Sequence, residues 1–252
     1  MAYTNNDIYN FVNFIIRKDS KGQPLTRSNF SLLLDTNGLE YFEIMYDDYE
    51  RTQEMSDSLK RFKVTKQGAQ LSFTGNTIDI PTNYAHAGFL YHKKNGTDVK
   101  PIYLVDDDKF MLRQNSAIEV PTVDYPTARF ITDYIEYLPT SLDQNNFTFS
   151  YLRYPTTPVY DYYIDANGVL QYLAVGEGHI WSDGEEDSSG NVRSSGSVSV
   201  STSGYDYISQ TVELDFNEED KLKVVYRILQ AVGVPIDEAG VYQYAQQLKV
   251  ES

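Results

Sequence analysis

The period of the hydrophobic pattern changes twice along this chain. Near both ends apolar residues recur every three to four positions, and between them every second position. A chain written this way needs helices at its ends and a sheet in its centre. The first helix is predicted over Asn6 to Arg17, where Ile8, Phe11, Val12, Ile15 and Ile16 share one face and Asn6 or Asp7 caps the start. Asp19 to Pro24 is a turn cluster. Thr26 is the expected N-cap of a second, longer helix with the stripe Phe30, Leu33, Leu34, Tyr41, Phe42 and Met45. Asn37 and Gly38 occupy that stripe one turn after Leu34, which predicts a close helix crossing. The helix is expected to fade in the acidic stretch Tyr46 to Tyr49.

From about Ser58 the period is two. Phe62–Val64, Gln70–Phe73, Thr77–Ile80, Ala87–Tyr91, Pro101–Leu104, Ala128–Tyr137 and Phe147–Leu152 read as strands. Asp106 to Arg113 interrupts them as a short helix. Tyr162–Ile164 and Val169–Leu173 flank Asp165-Ala-Asn-Gly168, a hairpin signal. Gly176 to Tyr205 is rich in Gly, Ser and acids and reads as a long loop or extended arm. Asn217 to Asp220 opens a helix carrying Leu222, Val225, Tyr226 and Leu229, stopped by Gly233 and Pro235. A last helix is expected from Asp237, with Val241, Ala245 and Leu248.

The expected fold is therefore α+β. A helical pair at 1–55 and a strand with a helical pair at 207–252 pack as a small helical bundle. A central antiparallel β-rich domain spans 56–175, followed by the Gly/Ser/acid-rich arm at 176–206. No internal repeat at solenoid spacing is present.

Composition narrows the function. Thirty-six acidic against 21 basic residues give a net charge of −15. That surface repels phosphate backbones and anionic lipid, which argues against wrapping nucleic acid or binding a membrane. It is compatible with a wall past which DNA slides. With no cysteine, disulfides, thiolate nucleophiles and Cys-based metal sites are excluded. MAYTNNDIYN lacks the pattern of a secretory signal, and Phe11 to Ile16 is too short to span a bilayer. The sequons at Asn29, Asn95 and Asn146 then carry no meaning. The 22 tyrosines suit surfaces buried on assembly, or simply replace Phe in a β-rich fold.

No motif of known chemistry emerges. His86 and His92 would stand roughly 20 Å apart along one strand, too far to share a metal. His179 lies near Trp181 in the arm without a second ligand at helical or hairpin spacing. Asp106, Asp107 and Asp108 fit N-cap and helix-dipole duty better than metal ligation. Asp183 to Asp187 lacks the alternating ligands of a Ca²⁺ loop and reads as a solvated acidic loop. Gly176-Glu-Gly178 lacks the third glycine and the following helix of a dinucleotide site. No catalytic, cofactor-binding or metal residue is assigned, and the chain is expected not to be an enzyme.

One set of segments resembles known proteins. Phe11 to Gly22, Leu25 to Leu34, Tyr41-Phe42, Ser56 to Phe62, Ile80 to Ala85, Tyr151 to Tyr160 and Asp220 through Gly233 to Leu248 span nearly the whole chain. They resemble ring, or head-to-tail adaptor, proteins in the neck of crAss-like and other short-tailed Bacteroides phages. The resemblance implies a helical bundle with a β domain, and no catalysis or cofactor. It also implies a homo-oligomeric ring, commonly of twelve copies, between portal and tail. The partners it implies are the portal and other ring or tail proteins, with DNA only passing through the channel. Such a protein is made in the host bacterial cytoplasm and resides in the virion. The rival expectations are a virion decoration or receptor- or carbohydrate-binding module, and, ranked last, a hydrolase using an Asp/Glu pair.

Overall fold

The computed structural model describes residues 3–18, 25–52, 56–94, 96–193, 205–234, 240, 241 and 243. Helices α1 (Asn5–Lys18) and α2 (Arg27–Thr52) and the single turn α3 (Ser56–Leu59) come first. Strands β1 (Lys63–Gln67), β2 (Phe73–Thr74), β3 (Thr77–Asp79), β4 (Tyr84–Lys94), β5 (Asp98–Pro101) and β6 (Tyr103–Leu104) lead to helix α4 (Asp107–Asn115). Then come β7 (Thr127–Ile131), β8 (Tyr134–Leu138), β9 (Phe147–Arg153), β10 (Tyr162–Ile164), β11 (Leu170–Tyr172), β12 (Gly178–His179), β13 (Glu186–Asp187) and β14 (Tyr207–Ile208). Helix α5 (Glu218–Ala231) follows. The chain is α+β, and it divides into two units: Leu59–Tyr154, and Met1–Ser58 with Pro155–Ser252.

In the unit Leu59–Tyr154, one sheet has the order β1-β9-β4-β5 and the other β2-β3-β8-β7-β6. Both contribute to one core: Leu90, Phe147, Phe149 and Tyr151 from the first, and Ile78, Ala128, Ile135 and Tyr137 from the second. Phe147, Phe149 and Tyr151 recur at every second position of β9, so one face of that strand supplies all three. Burying each such side chain contributes about 1.5–3 kcal/mol. The ladders are antiparallel except β6–β7, which is parallel. A parallel pair needs a crossover, and the connection carrying α4 supplies it.

Ala128 to Tyr137 is not the single strand that its alternation predicts. It folds back at Thr132-Asp133 into the β7–β8 hairpin, with Phe130 opposite Ile135 and Ile131 opposite Tyr134. The fold brings Ala128, Ile135 and Tyr137 into one core and leaves Thr132 and Asp133 exposed.

In the other unit, α1 buries Ile8, Phe11, Val12, Ile15 and Ile16. Its cap is Thr4 rather than Asn6 or Asp7. The Thr4 backbone N–H and hydroxyl donate to Asp7 Oδ2 at 2.9 and 2.8 Å, and Asp7 N–H returns to Thr4 Oγ1 at 3.1 Å. Asn13, in the middle of the apolar stretch, is buried and satisfied: its Oδ1 accepts from Leu25 N at 2.8 Å. Helix α2 runs on through Tyr46 to Tyr49 instead of fading there. Its small residue Gly38 does not mark a helix crossing. A Cβ there would lie 3.4 Å from Leu214 and 3.6 Å from Phe216, so the neighbour is the segment leading into α5.

Helix α5 is capped by Asn217, whose side chain accepts from Asp220 N, and it packs against α1 and α2. Asp220 in turn accepts a 2.7 Å bond from the buried Tyr41 hydroxyl. The fully buried Asn5 ties this unit together. It donates to the Val212 and Val159 carbonyls at 2.9 and 3.3 Å and accepts from Leu214 N at 3.0 Å. The Asp165–Gly168 hairpin forms between β10 and β11, with Gly168 at φ +78°. These two strands belong with α1 and α2, where Tyr160 meets Tyr9 and Phe30, and not with the central sheets.

Residues 176–193, expected as part of a long loop or arm, carry two short paired strands. β12 pairs with β14 and β13 pairs with β10, around the buried Trp181. The acids there fold turns. Asp187 accepts from Ser189 N, Asn191 N and Arg193, and Glu185 accepts from Ser182 N. Both carboxylates are buried, which overturns their reading as a solvated acidic loop. The Asp19–Pro24 turn, the serine-rich stretch 194–204 and nearly all of the last helix lie outside the described residues.

Candidate functional site

The histidines fall in three environments. His86 and His92 sit in β4, opposite Leu152 and Phe147 of β9. The His92 ring is buried edge-on to Phe147, and neither ring nitrogen has a hydrogen-bond partner. His179 stacks on Tyr163 at 3.9 Å, meets Trp181 edge-on at 4.9 Å, and shares a 2.9 Å hydrogen bond between Nε2 and Glu185 Oε2. Asp106 occupies the N-cap position of α4, yet its side chain makes no capping bond and pairs with Lys109 at 3.3 Å. Asp107 lies 3.4 Å from Arg129. Gly178 is required by packing, since a Cβ there would collide with the Tyr205 ring at 2.3 Å. Among the described residues, no three His, Asp or Glu side chains converge in a way that would hold a metal ion, and no helix is long and apolar enough to cross a membrane.

Two other places have the character of a site. The first lies in the unit Leu59–Tyr154, where the chain from Tyr103 to Tyr125 exposes apolar side chains. β6 is the edge strand of its sheet, and both of its side chains, Tyr103 and Leu104, are exposed. Helix α4 turns Phe110 inward under the Arg129 guanidinium, 4.7 Å from its ring, which sends Met111 and Leu112 outward. Leu112 is 71% exposed and Ile118 is 95% exposed, with Val120 and Tyr125 beyond. This exposure is built: Ser116 Oγ accepts from Ile118 N and Glu119 N at 3.1 and 2.9 Å, fixing the turn that holds Ile118 out. Exposed apolar side chains are concentrated along this stretch of chain.

The second is a cavity of about 460 Å³ in the other unit, lined by Asn6, Tyr9 and Asn10 of α1, Arg27 at the start of α2, and Tyr160 and Tyr172 among others. The Arg27 guanidinium lies 5.0 Å from the Tyr162 ring centre and 5.6 Å from that of Tyr9. Tyr160 and Tyr172 are 5.1 Å apart, and their hydroxyls donate to Asn6 at 2.8 Å and Glu213 at 2.6 Å. Burial pushes the Tyr160 hydroxyl up to about 12, against the pull of the Arg27 charge. Burial, then the Glu213 carboxylate, raises Tyr172 as well. Both phenols therefore stay neutral donors near pH 7.

Neither place was visible as a motif. The apolar segment carried a signal, since Ile118 and Val120 belong to no periodic element. The cavity did not, because its residues come from four separated stretches of chain. Compared with protein-family models the chain matches none, and no curated protein shows significant similarity to it.

Proposed function

We propose that this chain is a virion structural protein, a ring or adaptor subunit of a phage neck that joins portal to tail around the DNA channel. The observation that carries the reading is the segment Tyr103–Tyr125. Leu112 on α4 and Ile118 on the turn fixed by Ser116 stand in solvent, an arrangement suited to a neighbouring subunit. The resemblance of the segments along the chain to neck ring proteins supports the same role. So does the packing of α5 on α1 and α2, which is compatible with the expected helical bundle. The acidic balance of −15 suits a wall that DNA passes without binding. In this role the chain acts in the virion, as a ring of commonly twelve copies, contacting the portal and other neck or tail proteins and catalysing nothing. Co-sedimentation of the purified chain with the portal complex of its own phage tests the proposal, with stoichiometric binding expected.

A second reading, a virion decoration or carbohydrate-binding module, is favoured by the tyrosine-lined cavity at Arg27.

A further inference from the structure

Four of the described arginines pair with carboxylates. Arg113 reaches Glu119, Arg129 reaches Glu136, Arg193 reaches Asp187 and Arg227 reaches Glu40. Arg27 does not. Among the described residues no carboxylate lies within ion-pair distance of it, and its Nε has no hydrogen-bond partner. Its guanidinium is instead set beside the rings of Tyr9 and Tyr162, with the Tyr160 hydroxyl as a hydrogen-bond partner, at the wall of a cavity. A partly buried cation without a counter-charge is costly to keep, and the arrangement is poised to gain from an anion.

The lining narrows the anion. Among the described residues Arg27 is the only cation lining it, which suits a singly charged group better than a phosphate dianion. The rest is not a charge trap. Asn6, Asn10 and Gln171 offer amide donors and acceptors, and Tyr9, Tyr160 and Tyr172 offer aromatic faces with polar tips. Amides and ring faces around one arginine match a small ring that is apolar on its C–H faces, hydroxylated at its edge and carries one carboxylate. The volume lies in the range of small-molecule pockets and holds one or two sugar rings. An acidic side chain of a protein partner would use Arg27 and leave the amides and tyrosines idle.

We infer that the cavity at Arg27 binds an acidic sugar, a hexuronate or sialate unit, with its carboxylate on the guanidinium and its ring against the tyrosines. The inference is independent of the neck reading: it concerns one wall of the unit that holds α1 and α2, whether or not the chain forms rings.

The test is calorimetric and NMR titration of the full chain with D-glucuronate and N-acetylneuraminate, with D-glucose, N-acetyl-glutamate and inorganic phosphate as comparisons. At least one acidic sugar should bind with a Kd at or below about 1 mM, and the comparison compounds about tenfold more weakly or worse. Arg27→Gln should weaken the acidic sugar about tenfold or more, and Arg27→Lys, which keeps the charge without the planar fork, should weaken it by less. Circular dichroism and Tm of each variant separate loss of the site from loss of the fold, and Tyr172→Phe, distant from the guanidinium in sequence, gives a second perturbation of the same cavity. Absence of binding by both acidic sugars overturns the inference. Equal binding of N-acetyl-glutamate or phosphate overturns the sugar assignment, and undiminished binding to folded Arg27→Gln overturns the site. Failure to bind portal, by contrast, would bear only on the neck reading.

Discussion

Arg129 and Glu136 face each other across the β7–β8 hairpin, with Arg129 Nη2 2.6 Å and Nε 2.9 Å from Glu136 Oε2. Both side chains are about four-fifths shielded from solvent, so the pair is worth more than an exposed one. The hydrogen bond to Glu136 is the largest of the effects that raise the Arg129 pKa. Glu136→Gln should lower the stability of the chain by about 1–2 kcal/mol in urea unfolding. A single long strand would put these residues seven positions apart, out of reach, and the substitution would then do nothing.

Asn5 closes the second unit by joining the start of α1 to the paired backbones at Val159 and Val212 and to Leu214. Asn5→Ala leaves the buried Leu214 N–H without its partner and takes one of two donors from the Val212 carbonyl, which keeps its bond from Val159 N. A loss of about 2–4 kcal/mol follows, measured by thermal or urea unfolding. Asn5→Asp should also destabilise, because the carboxylate cannot donate to either carbonyl.

These two relationships show what could be read from the chain and what could not. The faces of α1 and α5 were legible because Ile8, Phe11, Val12, Ile15 and Ile16, and Leu222, Val225 and Leu229, repeat at helical spacing and are buried as that spacing requires. The β10–β11 hairpin was legible from Asp165-Ala-Asn-Gly168. The β7–β8 turn was not, because Thr132-Asp133 lacks a turn glycine and strict alternation runs through it. The segment 176–193 was misread for a related reason. Its glycines, serines and acids have the composition of solvent-exposed chain, but Glu185 and Asp187 spend their charge on local N–H groups and on His179 and Arg193. Burial pushes the Asp187 carboxyl up, yet the bonds from Asn191, Arg193 and Ser189 outweigh it and hold the pKa below the ordinary value. Composition reports the side chains, whereas burial depends on which backbone groups they find.

His92 supplies a pH dependence. Burial pushes its pKa below the usual histidine value, with Asp143 opposing. Unfolded, the ring takes up a proton near pH 6.5, while folded it does so only at lower pH. In that window the unfolded chain binds more protons, so stability is complete above about pH 6.5 and falls as the pH drops below it. His92→Leu should flatten the fall in Tm between about pH 6.5 and 5. An unchanged slope would place the titrating group elsewhere.

Leu112 and Ile118 should matter for assembly and not for folding. The double substitution Leu112→Ser with Ile118→Ser should change the Tm of the isolated chain by an amount equivalent to less than about 0.5 kcal/mol. It should abolish or strongly weaken self-association or portal binding, read by analytical ultracentrifugation. A large stability loss would mean that these side chains serve the fold.

The measurement that bears most directly on the neck reading is co-sedimentation of the purified chain with the portal complex of its own phage, followed by counting copies per portal. The account predicts stoichiometric, ring-symmetric binding that the Leu112/Ile118 double variant loses. A stable monomer with no affinity for portal or neck proteins, absent from mature particles, would contradict it.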